Sequence, residues 1–500
     1  MVFLEILLII FIKIPLFWSV KLAYQIWWKP KIAKRKLRKQ GIHVQSSKLP
    51  HGNVEDDNIE PELTHDIAAR VDPLLHELAS RHKKLFVVCD GTMPTVIVMD
   101  PELIKEILTR NFDFQSPEAS PTMKFFVKGL ANIDGDKWAK HRNIINPAFH
   151  IDKLKGMLPS FMASCEEMVQ RWDNLIGSTE CYEVDVLPEF QNLTTDIISK
   201  AVFGSNLEEG EFIFSLQREQ GQLFLESLFK PNSIWSRFLP SKLNKRMKQN
   251  HRKIRSLFEG ILEKEEKVVL SRDDNHHDLL SLLLHSNLNE TNQNKNGGMS
   301  REDVIEECKL FYFAGHETTA SLLVWTMIVL SMHQNWQDKA RNEVLQVFGK
   351  NKPTFDDLNY LKIVNMVLLE VLRLYPPTSL VRSIHKNTKI GEYSLPKGVT
   401  LKVPLHLVQR GQELWGDNAV EFNPDRFSDG ISNDQLSLFS FGWGPRICIG
   451  QNVAMLEAKL ALALILQRFS FHLSPTYKHV PTVVITLQPK FGAQIILQKI

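Results

Sequence analysis

Apolar and polar positions repeat with two different periods along this chain. Between Leu85 and Asp100, "LFVVC" and "TVIVMD" flank the turn cluster "DGTMP", which predicts a β-hairpin of buried strands. "PELIKEIL" then reads as a helix with proline at its start. Beyond it the helical period dominates: Asp136 to Ala148, Ile151 to Ile176, Asp196 to Phe203, and a long amphipathic stretch from Ser241 to Leu270. Ser286 to Gly298, "SNLNETNQNKNGG", is polar and low in complexity, so a mobile loop is expected there. Ser300, with Asp303 three residues on, has nearly the spacing of a capping box and opens a helix expected from Arg301 to about His333. Strand patterns return at Val399 to Pro404 and near the end, in "TVVITLQP" and "GAQIILQK". There is no internal repeat and no alternating βαβ order. The pattern predicts a mainly α protein with a minor β part, in the α+β class.

The first 28 residues are apolar, interrupted at Glu5, Lys13, Pro15 and Lys21, and no small-residue cleavage site follows. Val2 to Trp28 is long enough to span a bilayer, which needs roughly 20 residues. Tyr24, Trp27 and Trp28 suit the headgroup level, and Lys13 in mid-span must snorkel. Seven Lys/Arg lie between Lys29 and Lys39, a run that should stay cytoplasmic. Residues 1–28 are therefore expected to be a membrane anchor, 29–50 a basic linker and 51–500 the catalytic domain. The alternative is a buried N-terminal helix with a solvated basic end.

Composition adds limits. The chain has 500 residues, 43% of them hydrophobic, enough for one large core. Net charge is +3, and the basic run accounts for more than all of it, so no basic face is left for nucleic acid. Five scattered cysteines, without CxxC spacing, exclude a disulfide scaffold and a zinc module.

One of them stands apart. Cys448 sits in "FSFGWGPRICIG", Phe439 to Gly450, just before the apolar helical pattern "NVAMLEAKLALALILQRF". A thiol there meets the positive end of a helix dipole and unpaired N–H groups, which should lower its pKa. Gly442, Gly444 and Gly450 let the backbone pass close to something flat or bulky. A free cysteine is most often a small buried hydrophobe, but such a residue needs neither three glycines nor an adjacent arginine.

"FGWGPRICIG" resembles the haem-binding signature F-x-x-G-x-R-x-C-x-G of the cytochrome P450 superfamily, at Phe441, Gly444, Arg446, Cys448 and Gly450. The resemblance implies that Cys448 is the axial thiolate on haem iron, that Arg446 pairs with a haem propionate and that Phe441 packs near the sulfur. Three more stretches carry it. "FAGHETT" is similar to the family's [A/G]-G-x-[D/E]-T-[T/S], which implies proton delivery by Glu317 and Thr318; read alone, it is a Gly/Thr kink in a buried helix. "EVLRLYPP" matches E-x-x-R at Glu370 and Arg373, with Arg426 of "FNPDRF" as a third, structural member. "DKWAKHRN" matches W-x-x-x-R, which implies that Trp138 and Arg142 contact propionates, and Arg382 stands where the family often places another propionate ligand.

These segments together look like the plant clan of terpenoid- and hormone-oxidising P450s that includes secologanin synthase. The resemblance implies a haem-thiolate P450 fold with an N-terminal membrane helix, and monooxygenase activity on a hydrophobic, terpenoid-derived substrate. Haem b (iron protoporphyrin IX) and O2 are implied, with NADPH electrons from a partner NADPH–cytochrome P450 reductase. The implied location is the endoplasmic reticulum membrane, by a single-pass anchor with the catalytic domain cytoplasmic. Lys137 and Lys140 are candidates for reductase docking or simply a solvated helix face. Candidate pocket segments are Phe125–Phe126, Phe224 to Phe238, Leu310 to Ala314, Thr378 to Val381 and Val483–Val484. There are two departures: one proline stands where a proline-rich hinge is usual, and "VQRGQELWG" replaces paired histidines and an aspartate. A reductase-independent haem-thiolate isomerase or dehydratase, and a non-enzymatic haem or ligand carrier, remain alternatives.

Overall fold

The longest predicted helix organises the molecule. In the computed structural model, which describes residues 13–46, 62–89, 93–117, 125, 128–203, 207–229, 242–270, 279–293, 298–430 and 438–500, it spans Arg301–Met332. Ser300 caps it reciprocally with Asp303, as its spacing predicted. Its second half, Ala320 to Leu330, is buried all round, which marks a helix running through a core rather than over a surface. Among the described residues this is the one helix long and apolar enough to cross a membrane.

Helices gather about it, labelled here in chain order: α1 Gly135–Ile145, α2 Ile151–Ile176, α3 Val186–Phe203, α4 Leu207–Phe229, α5 Lys242–Leu270 and α6 Leu279–Gln293. Then come α7, the central Arg301–Met332 helix, α8 Gln334–Phe348, α9 Lys362–Leu374 and α10 Gln451–Arg468. Among the described elements, α3 makes the most extensive contact with α7. A Cβ on Gly315 would lie 2.6 Å from Ile198 Cδ1, so this glycine lets the two helices touch.

Most of the largest sheet has its own apolar cluster, whereas the strands at 181–185, 469–473 and 494–499 pack into the main helical core. Among the described residues this largest sheet has six strands, in the order 44–46, 85–89, 95–98, 400–403, 380–384 and 114–115. Leu85 pairs with Val98 in the predicted hairpin, and the Thr400–Val403 strand continues the sheet from Thr95. The second of these pairings is parallel and joins distant parts of the chain.

Several expectations need correction. Ser286 to Gln293 is helical and belongs to α6: Leu279, Leu280, Leu283 and Leu284 are buried and anchor it. Asn287 then accepts from Met299 N and donates to Met299 O at 3.1 Å, tying this polar end to the start of α7. The helix expected from Asp196 begins at Val186, because Val186, Phe190, Leu193 and Ile197 form one buried stripe. "TVVITLQP" is not one strand but two, Pro481–Val483 and Leu487–Pro489, paired antiparallel. Lys29–Arg38, read as part of a linker, is a helix that buries Pro30, Ala33 and Leu37. It follows Ile14–Ala23 and a π-helical turn at Tyr24–Trp28. Residues 1–12 and 47–61, Phe126 and the 230–238 segment lie outside the described residues.

Candidate active site

The cysteine loop is built by local hydrogen bonds. Gly442 N donates to Phe439 O and Cys448 N donates to Phe441 O, both at 2.8 Å. Gly444 has φ +68°, and a Cβ there would lie 2.9 Å from Leu108 O, so the loop presses on the Pro101–Thr109 helix at a point only glycine permits. The loop delivers Cys448 to the first turn of α10, facing an internal cavity of about 310 Å³. The thiol is open to that cavity while being enclosed by the body of the protein.

The α7 helix also lines this cavity, through Ala314, Gly315, Thr318, Thr319 and Leu322. Phe441, Val453, Ala454, Pro377, Thr378 and Leu380 close the sides. Thr318 Oγ1 donates to Ala314 O at 2.7 Å, a back-bond across the turn that Gly315 also weakens. Glu317 is not among the cavity-lining residues. Its carboxylate accepts from Thr486 at 3.1 Å and from Gln488 at 2.5 Å. Burial holds this acid above the usual carboxylate range, opposed by Thr486, the Arg218 charge and Gln488.

The expected lowering of the Cys448 pKa is overturned. Burial raises it, and outweighs the Gly450 N–H and the Arg142 charge, which act in the predicted direction. A thiolate there needs a cation at the sulfur, which a bonded metal supplies.

Arginines collect at one edge of the cavity. Arg446 lines it, lies 4.6 Å over the Trp138 ring, donates to Ile133 O at 2.9 Å and pairs with Asp134. Trp138 therefore packs on Arg446, from another element, rather than on Arg142 one turn along α1. Arg382 also lines the cavity, donating to its neighbour's Val381 O at 2.9 Å. Burial, then the like charge of Arg446, pushes its pKa down to about 10. Half-buried Arg142 sits close enough to feel the Cys448 charge. Asp134 is one carboxylate beside these guanidinium groups, so the edge favours a further anion.

Behind the cysteine loop, Glu370 and Arg373 are fully buried and bidentate, at 2.7 and 2.8 Å. Arg373 also donates to the carbonyls of Gln409, Ala419 and Glu421, and Arg426 Nε reaches Glu370 at 3.4 Å. The predicted trio is thus brought together, with each charge on Arg373 and Glu370 hydrogen-bonded. The departure at "VQRGQELWG" has a consequence here. Buried Gln409 donates to Leu372 O and Arg373 O and accepts from Phe439 N at 2.8 Å, joining the end of α9 to the cysteine loop.

The sequence reading missed Asp134 and Glu457. Glu457 is a buried cavity-lining acid with no hydrogen bond to Oε1, held above the usual carboxylate range by burial. It was visible as the sole acid in "NVAMLEAKLALALILQRF". Of the predicted pocket segments, Phe311, Ala314, Thr378 and Leu380 line the cavity, whereas Val483 and Val484 are exposed on the surface. Lys137 donates to Asp303 at 2.6 Å.

An apolar slot with a thiol on one wall and cationic groups along one edge fits a flat, carboxylate-bearing macrocycle whose metal meets the sulfur. Comparison with known proteins agrees: residues 65–492 match the cytochrome P450 family, and the chain belongs to it. Family membership makes it an oxidoreductase of the monooxygenase type with a haem-iron cofactor. Within the family it is a plant-type P450 of the CYP72 clan. It is 47% identical to cytochrome P450 72A397 of Kalopanax septemlobus, covering 97% of this chain and 96% of that protein. It is also 47% identical to 11-oxo-beta-amyrin 30-oxidase of Glycyrrhiza uralensis, covering 99% and 98%. Among solved structures, retinoic acid-bound cyanobacterial CYP120A1 superposes with a TM-score of 0.74 at 21% identity, covering 88% of this chain and 97% of that one. That likeness shows the fold.

Proposed function

We propose that this P450 oxygenates a large apolar terpenoid at a haem held by Cys448, taking electrons from NADPH through a flavoprotein reductase. The observation that carries the assignment is that the thiol of Cys448 and Thr318 line one and the same apolar cavity. Relatives of similar length include an oxidase named for a β-amyrin derivative, which supports the terpenoid class. Bound in the cavity, haem iron supplies the dioxygen activation that places one oxygen atom in a C–H bond.

The chain's own residues do the rest. Cys448 ligates the iron, and the Gly450 N–H steadies the charge on its sulfur. Arg382, Arg446 and Arg142 hold the haem carboxylates, with Trp138 fixing the Arg446 plane. Phe441, Val453 and Ala454 exclude water from the sulfur side. Thr318 holds a proton donor over the cavity, resupplied from Glu317, whose pKa burial raises. Because Glu317 is bonded to Thr486 and Gln488, its carboxyl must turn to serve Thr318. The exposed apolar residues Leu16, Phe17, Trp18, Val20, Trp27 and Trp28 suit insertion into the endoplasmic reticulum membrane, with the basic helix after them on the cytoplasmic side.

Thr318→Ala is expected to keep NADPH consumption while product falls several-fold and hydrogen peroxide rises. Unchanged coupling would place proton delivery elsewhere. Reconstitution with a plant reductase and a terpenoid panel tests the whole assignment: product is expected only with NADPH. Product formed without NADPH or reductase would favour a rearranging enzyme.

A further inference from the structure

Beyond the cavity wall, a line of buried aromatic and imidazole rings runs outward from α7. Trp325 lies one turn past Leu322, and Tyr375 two residues before Pro377; both Leu322 and Pro377 line the cavity. The Trp325 and Tyr375 rings are fully buried and stack, with centroids 4.3 Å apart and planes 16° from parallel. The Tyr375 hydroxyl meets His65 Nδ1 at 2.8 Å, and His65 Nε2 meets His333 Nε2 at 2.7 Å. The two imidazoles have centres 5.0 Å apart and planes 22° from parallel, so they join edge to edge through nitrogen. His333, at the end of α7, is half-buried and brings the chain toward the surface.

Hydrogen counting gives this chain a direction. A neutral imidazole has one donor and one acceptor nitrogen. With the phenol donating to His65 Nδ1, His65 Nε2–H donates to His333 Nε2, and both His65 nitrogens are satisfied. Burial, with His333, His479 and Arg410 nearby, holds the His65 pKa down to about 3, so it stands neutral and able to accept. Packing alone would need no such polar line, which is costly to bury.

We propose that Trp325 and Tyr375 form a one-electron donor site that drains oxidising equivalents from the haem when no substrate takes them, with His65 and His333 receiving the phenol proton. The electron leaves Tyr375 through Trp325. The Tyr375 O–H bond breaks, its proton forms N–H at His65 Nδ1, and the His65 Nε2 proton moves to His333 Nε2. With hydrogen peroxide as oxidant, two electrons, together with two protons from solvent, give two water molecules, and Tyr375 supplies the electrons one at a time over two cycles. Ascorbate re-reduces the tyrosyl radical after each cycle, two ascorbates per peroxide, releasing one proton each to solvent while the phenol proton returns along the same line. An oxidised phenol is a far stronger acid than an imidazolium, so the weak basicity of His65 is no obstacle. The inference rests on the haem assignment above.

The test uses full-length, haem-loaded, substrate-free protein mixed with hydrogen peroxide and freeze-quenched for electron paramagnetic resonance. The wild type is expected to show a tyrosyl radical. Tyr375→Phe should lose most of that signal and bleach its haem several-fold faster, and Trp325→Phe should lower the radical yield. Tyr477→Phe removes the neighbouring phenol, bonded to His479 at 2.9 Å, and should leave the signal in place. Each variant's reduced carbon monoxide spectrum reports that haem is seated, so loss of that band in the wild type sinks the haem assignment instead. If Tyr375→Phe does not load haem, His65→Gln is read, with a several-fold lower radical yield expected. Wild-type radical yield and bleaching rate in the loaded variants would overturn the proposal.

Discussion

Cys448→Ser is expected to abolish the strongly red-shifted carbon monoxide band of the reduced protein. The loop does not depend on the sulfur: its backbone bonds from Gly442 to Phe439 and from Cys448 to Phe441 survive the substitution. Serine is nearly the same size, so the variant should fold and still offer an apolar slot. What it cannot offer is a soft anion. A hydroxyl is a far weaker acid than a thiol, and burial already opposes charge at this position. An unchanged band would mean that iron is held by some other group.

The second large effect concerns folding. Arg373→Ala should yield little or no haem-loaded protein, because it strands the fully buried Glu370 carboxylate and three backbone carbonyls, those of Gln409, Ala419 and Glu421. Breaking a buried ion pair by removing one partner costs about 3–5 kcal/mol, against a total stability of about 5–15 kcal/mol for a domain. The damage also reaches the cysteine loop, since Gln409 bonds both the end of α9 and Phe439. Arg426→Ala should be milder: it frees the carbonyls of Trp415 and Asn418, but its contact to Glu370 is 3.4 Å, its side chain is not fully buried, and the Glu370–Arg373 pair stays whole. Thermal midpoints and haem content of the two variants check this. An Arg373→Ala protein as stable as wild type would contradict it.

Much of this was legible because the relevant signals are local. The Ser300 cap needs only residues within one turn, and the loop around Cys448 is a contiguous string. Glu370 and Arg373 are three apart on one helix. What could not be read was set by chain-distant partners. Trp138 carries Arg446 over its ring, a contact from more than 300 residues later that the spacing to Arg142 could not announce. Glu317 is adjacent to Thr318 in sequence, but its hydrogen-bond partners Thr486 and Gln488 come from about 170 residues later. The direction of the Cys448 shift was misread because helix dipole and N–H groups are local, while desolvation depends on the whole fold. Ser286 to Gln293 looked like a loop by composition, and four buried leucines upstream hold it as a helix. Gln409, where the chain departs from its family's pattern, acquired a reason only when Phe439 was seen beside it.

X-ray absorption at the iron edge of the haem-loaded protein probes the sulfur–metal bond directly. One sulfur atom bonded to iron is expected in the wild type and none in Cys448→Ser. Iron surrounded in the wild type by nitrogen and oxygen alone, or a sulfur that persists after the substitution, would contradict the assignment of Cys448.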